Sequence, residues 1–86
     1  MTTISHEEAL EQVRGAIVEI APDLDTELAS VDGNVDLWDQ FELDSMDHQN
    51  IMVEIFRRTG VEIAERDYPR LRSLASLAEY LTVAAT

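Results

Sequence analysis

The sequence predicts an all-α fold: a small antiparallel four-helix bundle, with three main helices, one short helix and a long loop between helices 1 and 2. Three observations predict it. Apolar residues recur at helical spacing in three separate stretches. Each stretch carries a helix start or stop signal in the right place. No stretch shows the strict apolar–polar alternation of a half-buried strand. The 86 residues form a single domain, 1–86, near the lower size limit for one hydrophobic core.

The first helix begins at Ser5. Ser5 and Glu8 have the spacing of a capping box, which satisfies amide groups left free at a helix start. Leu10, Val13, Ile17 and Ile20 then form one apolar stripe. Pro22 ends the helix soon after Ile20. Gly15 weakens it slightly, or permits a close approach.

Residues 22–43 form a long connection whose Pro, Gly, Asn and many Asp residues argue against one continuous helix. Leu24, Leu28, Val31, Val35, Leu37, Trp38 and Phe41 are too apolar for a free linker. The expectation is a packed loop with a helical turn near Thr26 to Ala29, and with Trp38 and Phe41 as core anchors. A loop this long in so small a domain is functional or well packed.

Asp44 suits the N-cap of a second helix, with Ser45 in its first turn. That helix runs to Thr59, and Gly60 is suited to end it in a left-handed conformation. Ile51, Met52, Ile55 and Thr59 face the core. Arg57 and Arg58 fall in the last turn, where the helix dipole favours cations. Val61-Glu62-Ile63 reads as a short extended piece, and Glu65 to Tyr68 as one helical turn before Pro69. Ser73 caps the last helix, whose stripe is Leu74, Leu77, Ala78 and Leu81. The tail, Val83 to Thr86, is expected to fray.

The formal charge is −12, with no lysine and no cysteine. An acidic chain repels nucleic-acid phosphates and anionic lipid, and favours basic protein surfaces. Without cysteine there is no disulfide, thiolate nucleophile or zinc–thiolate site. The first residues lack the basic and apolar regions of a signal peptide, and no apolar run reaches membrane-spanning length. The expectation is a cytoplasmic monomer, with no nucleic-acid partner and no stable membrane insertion. Between Arg14 and Arg57 there is no basic residue, and five of the six arginines fall between Arg57 and Arg72. The acidic stretch reads either as a solvated loop or as an electrostatic docking face around Ser45.

Several chemistries can be set aside. Asp23, Asp25 and Glu27 suggest a calcium loop, but the positions that need glycine and glutamate hold Leu28 and Asn34. His6 and His48 lack companions at metal-ligand spacing, so no metal site is expected. Ser45 and His48 lie three apart on one helix. A nucleophilic serine also needs a group to orient its base and an oxyanion hole. Neither is evident, so no residue is assigned a catalytic role and the chain is not expected to be an enzyme. The Ser45 hydroxyl reads better as a handle for another enzyme.

The stretch Phe41-Glu42-Leu43-Asp44-Ser45-Met46-Asp47 is close to the Asp-Ser-Leu attachment motif of the acyl carrier proteins, the phosphopantetheine-binding carrier family. Gly60-Val61-Glu62-Ile63 and Leu74 to Leu81 extend the likeness, so that the pattern from Leu37 to Leu81 resembles such a carrier. The resemblance implies that a phosphopantetheinyl transferase moves 4′-phosphopantetheine from coenzyme A onto Ser45, beside Asp44. The protein then carries acyl groups as thioesters between enzymes of fatty-acid, lipid or secondary-metabolite biosynthesis, and itself catalyses nothing. It implies docking through Met46, Asp47, Val53, Glu54 and Ile63 onto acyl-loading and acyl-transferring enzymes with basic patches. Ordinary packing is an equal reading of Met46. A long acyl chain could shelter near Ile63.

The chain also departs from the family pattern. Glu42 stands where glycine is common, Met46 replaces leucine, and Ala64 replaces a frequent proline. Asn50, Phe56 and Arg57 occupy places that are often acidic in fatty-acid carriers, which points to a specialised carrier. Two other readings stay open: an aminoacyl or peptidyl carrier, and an unmodified acidic helical protein-interaction module.

Overall fold

The computed structural model describes residues 4–84, and every regular element among them is helical. Helix α1 spans His6–Ile20. Ser5, in extended conformation, caps it and accepts the Glu8 amide on its Oγ at 3.1 Å. The Ser5 hydroxyl also donates to Glu8 Oε1 at 3.4 Å. α1 buries Ala9, Val13, Ala16 and Ile17, while Leu10 and Ile20 of the expected stripe are only partly buried. Two of these four are alanines, whose small side chains suit a helix packed against two others.

The connection after α1 is far more helical than a packed loop. Pro22 opens a 3-10 turn, Pro22–Leu24, that runs straight into α2, Asp25–Ser30. The expected turn at Thr26 to Ala29 is the centre of α2. A further helix, α3, spans Leu37–Gln40 and was not expected. Its N-cap is Asp36, whose Oδ1 accepts the Trp38 and Asp39 amides, both at 3.1 Å. Neither α2 nor α3 reaches two turns, so neither can display a helical period in sequence. Leu28, Leu37 and Trp38 are buried, and Phe41 packs against the core from a half-buried position.

Helix α4 spans Ser45–Thr59 and buries Ile51, Met52 and Ile55. Gly60 ends it at φ 75°, a left-handed conformation that glycine adopts without steric cost, and its amide donates to the Phe56 carbonyl at 2.8 Å. Residues 61–63 carry no regular structure, with Ile63 buried. A 3-10 turn follows at Glu65–Arg70, with Pro69 inside it and not after it. Proline's fixed φ matches the 3-10 value, so the ring is accommodated.

Helix α5 spans Leu74–Ala84. Ser73 Oγ accepts the Ser76 amide, and Ser76 Oγ accepts the Ser73 amide, both at 3.1 Å. Val83 and Ala84 continue the helix, in contrast to the expected fraying; Ala85 and Thr86 lie outside the described residues. The connection is strapped to the start of α5. Leu37 N donates to the Arg72 carbonyl at 2.7 Å, and Ala75 N donates to the Gly33 carbonyl at 2.8 Å. The Arg72 guanidinium adds an ion pair to Asp36 at 3.0 Å. Ile17, Leu28, Leu37, Ile51, Ile55, Leu74, Leu77 and Leu81 form one fully buried core.

Leu77→Ala is expected to lower unfolding free energy by about 2–5 kcal/mol through lost transfer energy and a cavity. Val83→Ala, at a position 70% exposed, should change it by no more than about 0.5 kcal/mol. Urea titrations of the two variants check the contrast.

Candidate functional site

The start of α4 is built by two carboxylates. Asp44, with extended backbone, accepts the Asp47 amide on Oδ1 at 2.8 Å. Asp47 Oδ2 accepts the Asp44 amide at 3.4 Å, which completes a reciprocal capping box. The first backbone bond of the helix runs from His48 N to the Asp44 carbonyl at 3.0 Å. The Ser45 and Met46 amides precede it and have no intrahelical acceptor. Ser45 is exposed, and its hydroxyl has no hydrogen-bond partner among the described residues. An anion on that oxygen gains from the free amides and the helix dipole, and is opposed by Asp44 and Asp47.

The approach to this start is a bend at Glu42. Its φ is 54°, the one positive value at a non-glycine among the described residues. Such backbone costs a side-chain-bearing residue roughly 1–2 kcal/mol. The loop therefore bends as glycine would allow, although glutamate stands there. Leu43 N donates to the Trp38 carbonyl at 3.1 Å and ties the bend to α3.

His48 makes no hydrogen bond to Ser45. Its ring meets Trp38 edge-on, with centroids 4.2 Å apart, and lies 4.9 Å from the Tyr68 ring. Its Nε2 is buried without a hydrogen-bond partner. Burial, and then the positive charge of Arg72, push its pKa below 6.5. Burial, then Glu65 and Glu62, raise the Tyr68 pKa. At Asp36 burial acts to raise the pKa, but the Asp39 amide, the Arg72 guanidinium and the Trp38 amide together hold it below 3.8.

No protein-family model, curated protein or solved structure matches this chain.

The expected docking residues separate into two groups. Met46 and Val53 are exposed, at 70% and 52%. Asp44 is exposed and Asp47 is half-buried, and both carboxylates serve the cap. Glu54 and Ile63 are buried. Glu54 is only 9% exposed, and its two oxygens are held by Arg57 at 2.7 Å and Arg58 at 3.0 Å. Its negative charge is neutralised and turned away from solvent. Ile63 is 6% exposed and lines a groove of about 350 Å³ with Met52, Val53, Phe56, Ala64 and Tyr68. A larger hollow of about 450 Å³ lies around Ile4, Gln12, Thr59 and Gly60, at the opposite end of α4 from Ser45.

Sequence reasoning missed Asp36, Arg72 and the Trp38–His48–Tyr68 cluster. Asp36 and Arg72 are 36 positions apart, so no local pattern pairs them. The usable signal was Asp36 before Leu-Trp-Asp, an N-cap preference ahead of a very short helix. Among the described residues, no three His, Asp or Glu side chains are grouped to hold a metal ion, and no helix is long and apolar enough to cross a membrane.

Two expected outcomes follow from this geometry. Glu42→Gly should leave stability unchanged or raise it, whereas Glu42→Ile should lower it by roughly 1–2 kcal/mol, since a β-branched residue is least suited to positive φ. Thermal unfolding of the two variants checks this. For His48, the folded pKa lies below the unfolded value near 6.5. Its neutral form is preferred in the fold, so stability is complete above that pH and falls as the unfolded chain takes up the proton. Urea unfolding as the pH is lowered below about 6.5 should show this loss, and His48→Phe should flatten it.

Proposed function

We propose that this chain is a carrier of acyl groups, held as thioesters on a 4′-phosphopantetheine arm attached to Ser45. The observation that carries the reading is the Ser45 hydroxyl, exposed and without a hydrogen-bond partner at the capped start of α4. The residues present fit such an arm. A phosphodiester at this oxygen would lie beside amides that have no acceptor within the helix. When bound, the group supplies the terminal thiol that holds the acyl cargo. Ser45 supplies the point of attachment, and Asp44 with Asp47 fixes where the helix begins.

Two further observations support a carrier over a serine hydrolase. The nearest histidine in sequence, His48, packs its ring on Trp38 and Tyr68. The groove beside Met52, Val53 and Ile63 opens on the same helix as Ser45, and Gln49, Glu62 and Glu65 line it as well. In this reading α1, α4 and α5 are the three main helices of an antiparallel four-helix bundle, and the turn at Glu65–Arg70 is the short one. The protein is a cytoplasmic monomer. Its partners are a phosphopantetheinyl transferase and the enzymes that load and transfer acyl groups in fatty-acid, lipid or secondary-metabolite synthesis.

Incubation with coenzyme A and a broad-specificity transferase should add one phosphopantetheinyl group, read by intact mass. Ser45→Ala should gain none while its unfolding free energy stays within about 0.5 kcal/mol of the parent. Addition that persists in Ser45→Ala contradicts the site. Failure of the parent to gain the group with any transferase favours the unmodified interaction module.

A further inference from the structure

The outward face of α4 differs from the rest of the molecule. Met46, Gln49, Asn50, Val53, Phe56 and Arg57 each lie three or four positions from another of the group and share one side of the helix. All six are exposed. None is acidic, although the chain carries a net charge of −12. Met46, Val53 and Phe56 are the exposed large apolar residues of this helix, at 70%, 52% and 46%.

The charge on this helix is arranged in one direction. Asp44 and Asp47 lie at its start. Within the helix after Asp47 the single acid is Glu54, and two arginines hold it. Arg58 is pressed onto α1: a Cβ built on Gly15 would come within 2.6 Å of its guanidinium. Arg57 is the one that faces outward, with its side chain 69% exposed. One glutamate against two arginines leaves this end of the helix with one net positive charge. Twelve residues at the helical rise put Arg57 about 18 Å from Ser45.

We infer that the outward face of α4 docks a partner enzyme whose complementary surface is apolar and carries an acidic side chain opposite Arg57. The choice of partner chemistry rests on charge complementarity. A uniformly basic patch would suit Asp44 and Asp47 but would meet Arg57 with a like charge. An apolar patch covers Met46, Val53 and Phe56, and an acid at its far edge pairs with the exposed guanidinium. A partner basic near Ser45 and acidic beyond Phe56 therefore binds in one orientation only, which sets where its active site meets the serine. That the partner is an enzyme acting on the tethered cargo rests on the carrier reading; the chemistry of the surface does not.

A photo-crosslinking side chain at Val53 of the full-length protein, in the cell that makes it, captures the partner, which is then identified and purified for binding measurements. Arg57→Glu should weaken its binding about tenfold at low salt, and Phe56→Asp at least as much. Replacing the facing acid of the partner by lysine should restore binding to Arg57→Glu. Arg57→Gln, which leaves Glu54 its Arg58 contact, should lie between parent and Arg57→Glu. Circular dichroism should confirm that each variant is folded. Tighter binding by Arg57→Glu, capture of a second copy of this chain, or no capture from position 53 overturns the inference. Intact mass of the same samples reports the arm on Ser45 separately, so failure of the carrier reading is told apart from failure of the docking surface.

Discussion

The register of α4 is the constraint on which the rest depends. Each residue of a helix turns the chain by 100°, so a start one position earlier or later would rotate every side chain by that angle. With the start at Ser45, Ile51, Met52 and Ile55 fall on the core side, and Met46, Val53 and Phe56 fall outside. Asp44 and Asp47 fix that start by closing on one another's amides. The left-handed turn at Glu42, tied through Leu43 to Trp38, delivers the chain to it. The same few residues that set the packing register thus expose one serine hydroxyl.

The strap between the connection and α5 supports this arrangement from behind. Asp36 caps α3, pairs with Arg72 and so ties α3 to the last helix. α3 in turn presents Trp38, on which the bend and the ring of His48 both rest. An acidic protein has many carboxylates to spare for solubility, and most here are exposed. Asp36, Asp44, Asp47 and Glu54 instead have defined partners that fix helix starts or hold arginines. The surface left over is acidic near Ser45 and free of acids along the outward side of α4.

The long helices were legible because each repeats its apolar positions over several turns and begins at a recognisable cap. Ser5, Asp44 and Ser73 were all read correctly as caps, and Gly60 as the stop of α4. The helical content of the connection was not legible. Short helices have no period to read, and α3 is held by contacts to Arg72 that lie far along the chain. Ser45 was legible from its dipeptide and its place at a helix start. The fate of Glu54 was not: an acid three and four residues before two arginines reads equally as a docking charge or as an internal clamp. Only its burial decides for the clamp. The position of Glu42 was flagged by its unusual residue, and the backbone there adopts the conformation that a glycine would have signalled.

The central claim is that Ser45 is presented outward for another enzyme to modify. The most direct measurement is the mass of the intact protein isolated from its own cell, followed by fragmentation to locate any added group. The account predicts a phosphopantetheine-bearing population, with or without cargo, and with the added mass confined to Ser45. A population in which Ser45 is uniformly bare, or in which the added group sits on another residue, contradicts it.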